Sequence, residues 1–263
     1  MIRSVLPAEV AAEVAYDDTR APDDKLFPQE LALIERSVPK RQREFTTVRF
    51  LARRALRSLG QQPVPLLPNR RGAPQWPQGI VGSMTHCDGY RAAVVARSDT
   101  TAALGIDAEP DAPLPDGVLD TIALPHETAL IASLAARHPG VSWDRLVFSA
   151  KESVFKVWYP LTGRELNFSE AQIDISPVER TFRARLLVPG PLVAGARIGE
   201  FHGRWTAGRG LVATAIHLTH AAPQTRVTAA RTDGRDEGTA ATALQAPPVN
   251  RPGSGGGSIS CKD

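Results

Sequence analysis

Apolar residues recur at helical spacing in four segments of the chain. In the first, PQELALIER, the side chains of Leu31, Leu33 and Ile34 are predicted to form the buried side of a short helix. Two later segments, at about 116–138 and 142–158, show the same periodicity. All of these segments predict amphipathic helices that pack on a core.

The second of the four segments predicts a helix from about Pro39 to Leu59. Proline is favoured in the first turn of a helix and glycine just after its end, where Gly60 stands. Ser142 is the predicted N-cap of the helix at 142–158, because a serine hydroxyl can accept a hydrogen bond from the first turn. These helices therefore have signals at their ends as well as an apolar face.

Alternation of apolar and polar residues predicts strands between and after the helices. Three runs precede the third helix: IVGSMTH, RAAVVARS and TAALGIDAE. The first two are predicted to form a hairpin, because the loop between them contains the turn residues Asp88 and Gly89. Four more runs follow the last helix, and an AGRG turn joins the last two: AQIDIS, TFRARLLV, EFHGRWTA and GLVATAIHL. Helices among antiparallel strands predict an α+β fold.

This pattern stops near Ala221. The remaining sequence is rich in Ala, Thr, Gly, Pro and Arg and lacks the apolar periodicity that a core requires. Residues 222–263 are therefore predicted to form a disordered tail.

Composition sets three limits. The chain has 263 residues and is 42% hydrophobic, which is enough for a sizeable core. Its two cysteines, Cys87 and Cys261, fit neither a disulfide framework nor a zinc site. No stretch is apolar enough for a secretory leader or a membrane span. The expected location is the reducing cytoplasm.

The net charge of +3 is small, but the arginines are unevenly placed. Arg49, Arg53 and Arg57 recur every four residues on the second helix, and Arg41 lies two turns before Arg49. Such a row of guanidinium groups can bind a polyanion through paired hydrogen bonds. A solvated helix face explains the pattern equally well.

Two acidic segments contain the candidate catalytic and metal-binding residues. In GIDAEP, Asp107 and Glu109 are two residues apart near the end of a predicted strand, so their side chains point the same way. In FSAKESVFK, Glu152 and Lys156 are four residues apart and share a helix face. Magnesium prefers oxygen ligands and takes only a few from protein. Asp107, Glu109 and Glu152 are therefore the candidate metal ligands.

These segments resemble motifs of one family. GIDAEP is similar to the (V/I)G(V/I)DxE motif of the Sfp-type 4'-phosphopantetheinyl transferases, and FSAKESVFKVWYP to their WxxKExxxK motif, with phenylalanine where many members have tryptophan. GSMTHCDGY resembles a motif upstream of both. KRQREF with VRFLARRALRSLG, and NRRGAPQWPQG, resemble coenzyme A binding regions of the enterobactin-synthetase-associated branch found in actinobacteria. Several ordered matches are far more specific than one motif.

The resemblance implies a two-lobed α+β fold, a pseudo-dimer in which each half is similar to one subunit of the smaller holo-acyl-carrier-protein synthases. Residues 1–104 would form an N-terminal lobe that binds coenzyme A, and residues 105–221 a C-terminal lobe with the metal and the catalytic residues. The implied reaction transfers 4'-phosphopantetheine from coenzyme A to a serine of an acyl or peptidyl carrier protein and releases 3',5'-adenosine diphosphate. It would need Mg²⁺, or Mn²⁺ in its place, and a monomer is expected.

The same resemblance implies the catalytic roles. Glu152 is the candidate base that takes the serine proton, directly or through a metal-bound water. Lys156 would stabilise or protonate the departing diphosphate, and Lys151 would contact phosphate nearby. Asp107 is expected to serve both catalysis and cofactor binding, as a ligand of the ion that holds the diphosphate.

Basic groups are expected around the phosphates of coenzyme A. His86, preceded by Thr85 at a strand end, matches a family histidine that contacts the 3'-phosphate. Arginine side chains would complete the phosphate cage through bidentate hydrogen bonds: Arg41, Arg49, Arg53 and either Arg70 or Arg71.

Two other functions fit parts of the pattern. The protein could bind coenzyme A or another nucleotide without catalysis, although the complete acidic trio argues against this. The arginine helix could bind nucleic acid, but no recognised binding module accompanies it, so neither nucleic acid nor membrane is an expected partner. The sequence does not distinguish carrier proteins of fatty acid, polyketide and nonribosomal peptide synthesis.

Overall fold

The structure is a computed structural model that describes residues 1–18 and 25–220. The predicted tail, residues 222–263, lies outside these described residues. Helices combine with antiparallel sheets in the described part, which confirms the α+β prediction. Within these ranges, no helix has both the length and the apolar character needed to cross a membrane.

The order of elements follows the predicted one closely. The helices of the described residues are α1 (Pro28–Ile34), α2 (Pro39–Ser58), α3 (Val118–Ile122), α4 (Pro125–Arg137) and α5 (Trp143–Thr162). The strands are β1 (Ala11–Ala15), β2 (Ile80–Cys87), β3 (Tyr90–Arg97), β4 (Thr101–Pro110), β5 (Ala171–Ser176), β6 (Thr181–Leu186), β7 (Leu192–Val193), β8 (Ala196–Arg197), β9 (Glu200–Gly208) and β10 (Leu211–Thr219). Two short 3-10 helices lie at Ile2–Val5 and Phe168–Glu170.

A three-stranded antiparallel sheet in the N-terminal half is covered by α2. Its strand order is β1-β3-β2. The β2–β3 hairpin turns at Asp88 and Gly89 as predicted, and Gly89 has a φ of 72°, which favours glycine. The buried face of α2 packs on the sheet through the following residues: Val48, Leu51, Ala52, Ala55 and Leu56 against Ile80, Met84, Ala93 and Val95.

A five-stranded antiparallel sheet in the C-terminal half packs against α5. Its strand order is β4-β10-β9-β6-β5, and the AGRG turn joins β9 and β10 as predicted. The core between this sheet, α4 and α5 includes large side chains from every layer: Leu134, Leu146, Trp158, Ile173, Phe201 and Trp205. Burial of so much apolar surface holds α5 in place.

A buried carboxylate ties α1 to α2. Glu30 accepts hydrogen bonds from the backbone N–H of Phe27, at 3.0 Å, and of Leu66, at 2.9 Å. The Arg53 guanidinium of α2 contacts both carboxylate oxygens, at 2.9 and 3.1 Å. Glu30 is fully buried, and a buried charge is stable only with such partners.

A second buried carboxylate ties α4 to α5 in the same way. Glu127 accepts hydrogen bonds from the backbone N–H of Leu124 and of Ile173, both at 2.7 Å. Its Oε2 atom lies 2.8 Å from the Lys151 ammonium of α5. Burial lowers the pKa of Lys151, and the adjacent Glu127 carboxylate opposes this shift.

The apolar side predicted for α1 is wrong in part. Leu31 and Leu33 are 52% and 46% exposed, and Ile34 is buried. Glu30 and Ile34 are four residues apart on one helix face, and this face is the one turned to the interior. The helix thus buries its capping glutamate in place of two leucines.

The ends of α5 differ from the prediction. Ser142 has the N-cap position, but among the described residues its side chain makes no capping hydrogen bond. Its backbone N–H instead donates to Asp111 Oδ1 at 2.7 Å. The helix continues through Pro160 to Thr162, and Gly163, with a φ of 64°, ends it.

The two sheets meet where β2 lies beside β4. The backbone N–H groups of Ile106 and Ala108 donate to the hydroxyl oxygens of Ser83 and Thr85, at 3.1 and 3.3 Å. Side-chain hydroxyls of one sheet therefore satisfy the backbone of the other. This junction places the end of β2 next to the acidic segment of β4.

Candidate active site

Strand β4 and helix α5 approach closely at this junction. A Cβ atom at position 105 would overlap the carbonyl oxygen of Ser153, so glycine is required there. Asp107 and Glu109 follow Gly105 at two-residue steps and point to the same face of β4. The face of β4 that meets α5 therefore carries two carboxylates.

Asp107 is fully buried at the junction. Its Oδ1 atom accepts hydrogen bonds from the Thr85 hydroxyl, at 3.1 Å, and from the Lys156 ammonium, at 3.0 Å. Its Oδ2 atom is buried and has no hydrogen-bond partner among the described residues. A buried carboxylate oxygen without a partner is costly, so Oδ2 is suited to bind a further positive group.

Glu152 and Lys156 place a carboxylate and an ammonium of α5 at the same junction with β4. Glu152 is buried one helical turn before Lys156, on the same helix face. The Lys156 ammonium donates to the Ile106 carbonyl oxygen at 3.0 Å as well as to Asp107. A base candidate and a fixed ammonium thus share one side of α5.

Glu109 contacts a residue outside the predicted site. Its Oε2 atom lies 3.4 Å from Nη1 of Arg145, in the first turn of α5. Arg145 also donates to the carbonyl oxygens of Ala112, at 3.0 Å, and of Pro113, at 2.8 Å. Three acceptors therefore hold this guanidinium in place.

Asp107, Glu109 and Glu152 have carboxylate oxygens that suit a hard cation, but their side chains are not grouped around one point. In residues 1–18 and 25–220, no three His, Cys, Asp or Glu side chains are grouped closely enough to hold a metal ion. The predicted trio of Asp107, Glu109 and Glu152 around one ion is therefore not confirmed. Lys156 and Arg145 contact two of these carboxylates instead. The buried Oδ2 of Asp107 is the atom that best fits a cation.

A cleft of about 640 Å³, including its open mouth, lies next to Lys156. Its mixture of apolar and polar walls is typical of small-molecule sites. The apolar wall comes mainly from Phe45, Val48, Trp76, Met84, Tyr159 and Pro160. The polar side chains on its wall include those of Arg49, Ser83, Thr85, His86 and Lys156.

His86 lies in a charged cluster at one side of the cleft. Its Nε2 atom is 2.7 Å from Nη1 of Arg41, and its Nδ1 atom is 3.6 Å from Glu44. The Arg49 guanidinium lies over the Phe45 ring, 4.2 Å from the ring centre. The structure thus brings Arg41, Arg49 and His86 to the same region, as the sequence predicts.

Comparison with known proteins identifies the family. The model of the 4'-phosphopantetheinyl transferase N-terminal domain matches residues 29–96, and that of the 4'-phosphopantetheinyl transferase superfamily matches residues 103–206. The 4'-phosphopantetheinyl transferase Svp of Streptomyces mobaraensis is 61% identical over 219 residues, which cover 82% of this chain and 88% of Svp. The chain belongs to the 4'-phosphopantetheinyl transferases.

Two further relatives are similar to this chain. The 4'-phosphopantetheinyl transferase PptT of Mycobacterium tuberculosis is 46% identical over 226 residues, covering 83% of this chain and 98% of PptT. Enterobactin synthase component D of Escherichia coli is 33% identical over 138 residues, covering 51% of this chain and 62% of that protein. The predicted family is confirmed, and the chain is an enzyme, not a binding protein without catalysis.

Arg53 does not lie where the sequence predicts in this transferase. Its guanidinium is buried against Glu30 and also donates to the Lys25 carbonyl oxygen at 3.2 Å. Among the described residues that line the cleft, Arg53 is absent. The Arg53 guanidinium is therefore bound by Glu30 and Lys25, away from the cleft at which the sequence predicts its phosphate contact.

Lys151 is the second correction. Besides Glu127, its ammonium contacts the carbonyl oxygens of Phe168 and Ala171, at 2.7 and 3.0 Å. Successive residues of a helix point about 100° apart, so Lys151 faces the core while Glu152 faces β4. Lys151 therefore supports the position of α5 and does not reach the cleft.

Arg70 and Arg71 lie in the loop before β2, and both are exposed. Arg71 forms an ion pair with Glu165, beyond the end of α5. The neighbouring Asn69 amide donates to the Tyr159 hydroxyl at 3.4 Å. This loop therefore bridges to α5 at the rim of the cleft, and a phosphate contact by either arginine stays a prediction.

Two charged residues near the site are absent from the prediction, Arg145 and Glu44. Arg145 precedes Glu152 by seven residues, or two helical turns, and therefore lies on the same side of α5. Glu44 contacts both His86 and Arg91. The helical spacing of Arg145 is a signal that the sequence contains, but the contacts of Glu44 depend on the folding of β2 against α2.

Proposed function

We propose that this transferase moves 4'-phosphopantetheine from coenzyme A to a serine hydroxyl of an apo carrier protein, with a divalent cation. One observation carries the proposal: Asp107 is buried between Thr85 and Lys156, both of which line the cleft. Arg49 and His86 line the same cleft and provide positive and hydrogen-bonding groups for phosphate.

The reaction forms a bond between the serine oxygen and the phosphorus that carries pantetheine. It breaks the bond from that phosphorus to the bridging oxygen, which leaves with 3',5'-adenosine diphosphate. A serine hydroxyl is a weak nucleophile, so a base takes its proton during attack. Glu152 is the proposed base, because its carboxylate is buried on the face of α5 that also carries Lys156.

Lys156 is the proposed partner of the departing diphosphate. Its ammonium is held by Ile106 and Asp107 at the wall of the cleft, so it needs little rearrangement to meet developing negative charge. A fixed positive charge of this kind stabilises the transition state more than the ground state. Lys156 therefore contributes to turnover more than to binding.

Asp107 and Glu152 are the proposed direct ligands of Mg²⁺ or Mn²⁺, and Glu109 is a third carboxylate beside them. The fit rests on the buried Oδ2 atom of Asp107, which has no hydrogen-bond partner among the described residues. When bound, such an ion neutralises and orients the diphosphate oxygens.

The cleft is also the proposed site of coenzyme A. Arg41 and His86 contact each other at one side, where a terminal phosphate would meet two basic groups. The apolar wall with Trp76 and Met84 offers a surface for the less polar pantetheine arm. Arg70 or Arg71, both exposed, would add a contact at the rim.

The pseudo-dimer of two similar lobes is supported by an internal repeat. FPQELALI at 27–34 matches LPHETALI at 124–131, and the shared glutamates, Glu30 and Glu127, each cap a helix and pair with a cation of the next long helix. Both long helices have 20 residues. In both sheets the first strand pairs with the last, β1 with β3 and β4 with β10.

The proposed lobes meet near residue 100, slightly before the predicted boundary at 104. Strand β4 begins at Thr101 and pairs along its length with β10, so the whole strand belongs with the C-terminal sheet. A monomer in the cytoplasm, acting on carrier proteins, remains the expectation from the sequence.

Mass spectrometry of an apo carrier protein tests this function. The full chain, coenzyme A and Mg²⁺ are incubated with the carrier, and the carrier is expected to gain one phosphopantetheine. The D107N variant, which keeps the size of the side chain but removes its charge, is expected to leave the carrier unchanged. Tight coenzyme A binding by the natural chain without any gain in carrier mass contradicts the proposal.

A further inference from the structure

Arg145 joins α5 to the segment that follows β4. This segment, residues 111–114, is bound to the start of α5 by four hydrogen bonds. Two of them are those from Arg145 to the carbonyl oxygens of Ala112 and Pro113. The others run from the Ser142 N–H to Asp111 and from the Leu114 N–H to Asp144, at 2.7 and 2.8 Å.

These contacts fix the direction of the Arg145 guanidinium. Its Nε and Nη2 groups bind carbonyl oxygens, and Nη1 is left directed at Glu109. The side chains of Arg145 and Glu109 are 16% and 4% exposed, so solvent screens this ion pair much less than a surface pair. The charge of Arg145 therefore acts strongly on Glu109.

We propose that Arg145 is a positioning residue that holds Glu109 in this ion pair, outside the direct ligands of the divalent cation, and so weakens the affinity of the site for that cation. The inference rests on the proposed function, because it assumes that the cation binds at Asp107. It accounts for the lack of a ready three-carboxylate cluster in the described part of the chain.

Arg145 changes the net charge around the proposed cation site. Asp107, Glu109 and Glu152 are opposed by Lys156 and Arg145, so one negative charge remains in excess. Without Arg145 a second negative charge would remain, and a divalent cation would bind strongly by itself. With Arg145 in place, the ion binds well only together with a diphosphate that supplies further oxygen ligands.

Titration of the full chain with Mn²⁺ tests this role. Free Mn²⁺ is measured by electron paramagnetic resonance, with no carrier protein present, so that binding is read independently of turnover. R145Q is expected to lower the Kd for Mn²⁺ about fivefold to tenfold, because it removes the charge that opposes Glu109. R145K keeps the charge but loses the planar set of donors, so it is expected to lower the Kd less than R145Q does.

A matched control separates this effect from net charge. Arg137 lies at the exposed end of α4, where its contacts are with Ser133. R137Q makes the same change in net charge far from the carboxylates and is expected to leave the Kd unchanged. A decrease in R137Q equal to that in R145Q overturns the proposal.

A double-mutant cycle identifies Glu109 as the group through which Arg145 acts. If Glu109 is held outside the direct ligands, E109Q alone removes only one nearby negative charge and raises the Kd by less than about tenfold, whereas the loss of a ligand in D107N raises it by more than about fiftyfold. In the E109Q background, R145Q is expected to lose its effect. An unchanged or higher Kd in R145Q, or the same decrease with and without Glu109, refutes the inference.

The remaining outcomes are also decisive. Circular dichroism checks that each variant is folded. If R145Q does not fold, the E109Q variant alone decides the question. A loss of Mn²⁺ affinity greater than about tenfold in E109Q shows that Glu109 is a direct ligand and overturns the proposal. If the natural chain shows no Mn²⁺ binding that D107N abolishes, either alone or with coenzyme A present, the metal site of the proposed function fails, and this inference fails with it.

Discussion

Gly105 of β4 lies so close to the carbonyl oxygen of Ser153 on α5 that no side chain fits between them. This contact sets the distance between the strand and the helix. Asp107 and Lys156 project from these two elements and meet at 3.0 Å because the backbones are so near. The absence of a side chain at one position thus determines the geometry of the charged groups beside it.

Replacement of Gly105 by alanine is expected to push α5 away from β4. Overpacking of this kind costs about 1–3 kcal/mol in the free energy of unfolding. The turnover number is expected to fall more than about tenfold, because Lys156 no longer reaches Asp107. Urea denaturation and carrier loading measure the two effects.

Gly199 offers a matched control, because a Cβ there would meet no neighbouring atom. Gly199→Ala is expected to leave both quantities close to those of the natural chain. Normal turnover in Gly105→Ala would show that the approach of α5 to β4 is not needed for catalysis.

Removal of the ammonium at position 156 is expected to slow the reaction. Lys156→Met keeps the length of the side chain but loses the contacts with Ile106 and Asp107. We expect kcat to fall about a hundredfold or more, with little change in the KM for the carrier protein. Initial rates of carrier loading at several carrier concentrations measure both parameters.

Lys156→Arg tests whether charge alone is enough. The planar guanidinium does not fit a site built for a compact ammonium, so we expect only a small recovery of kcat. A methionine variant that keeps more than a tenth of the natural turnover contradicts the role proposed for Lys156.

Arg49 and Arg53 are one turn apart on α2 but are expected to respond differently to mutation. Arg49 lines the cleft, so Arg49→Gln is expected to raise the KM for coenzyme A about tenfold. Arg53→Met leaves Glu30 buried without its counter-charge and is expected to lower the free energy of unfolding by about 3–5 kcal/mol. Its folded fraction should bind coenzyme A normally.

Denaturation curves and coenzyme A titrations separate the two arginines. The double variant Glu30→Gln with Arg53→Met is expected to recover part of the lost stability, since no unpaired charge remains buried. A higher KM for coenzyme A in the folded Arg53→Met variant would instead support the phosphate contact that the sequence predicts for Arg53.

His217 is expected to make stability depend on pH. Its Nε2 atom lies 2.9 Å from the Thr101 hydroxyl, and burial lowers its pKa below 6.5, against a smaller opposing effect of Glu9. Between the folded and unfolded pKa values, the unfolded state binds more protons. Stability therefore falls as the pH decreases from above 6.5 toward the folded pKa, and this contribution levels off below it.

Urea midpoints measured between pH 7.5 and 5 test this dependence. His217→Gln is expected to show a smaller decrease over that range than the natural chain. The exposed His202 provides the control, and His202→Gln is expected to keep most of the decrease. Equal slopes in all three proteins would exclude His217 as the cause.

The sequence predicts the elements whose periodicity is long or repeated. Helix α2 and the β2–β3 hairpin follow their predictions because apolar spacing and turn residues agree there. Strand β1 is missing from the prediction, since Ala11–Ala15 is short and all five residues are half-buried. A short strand of this kind is defined by its pairing with β3, which no local pattern reveals.

Burial of charge is what the sequence predicts least well. The sequence places Arg53 and Lys151 among the phosphate-binding cations because their partners, Glu30 and Glu127, belong to other helices. The glutamates themselves occur in a Pro-x-Glu-x-Ala-Leu-Ile pattern that appears twice in the sequence. Its meaning depends on the tertiary contact, because only that contact shows that both glutamates point inward.

The loop with Asn69 and Arg71 reaches α5 through one hydrogen bond to Tyr159 and one ion pair with Glu165. Both side chains of the ion pair are well exposed, and salt weakens such pairs. The floor of the cleft is held by buried groups, whereas the loop beside its open mouth is held by contacts for which water competes. A rise in ionic strength is therefore expected to loosen this loop before it disturbs the buried charged groups of the floor.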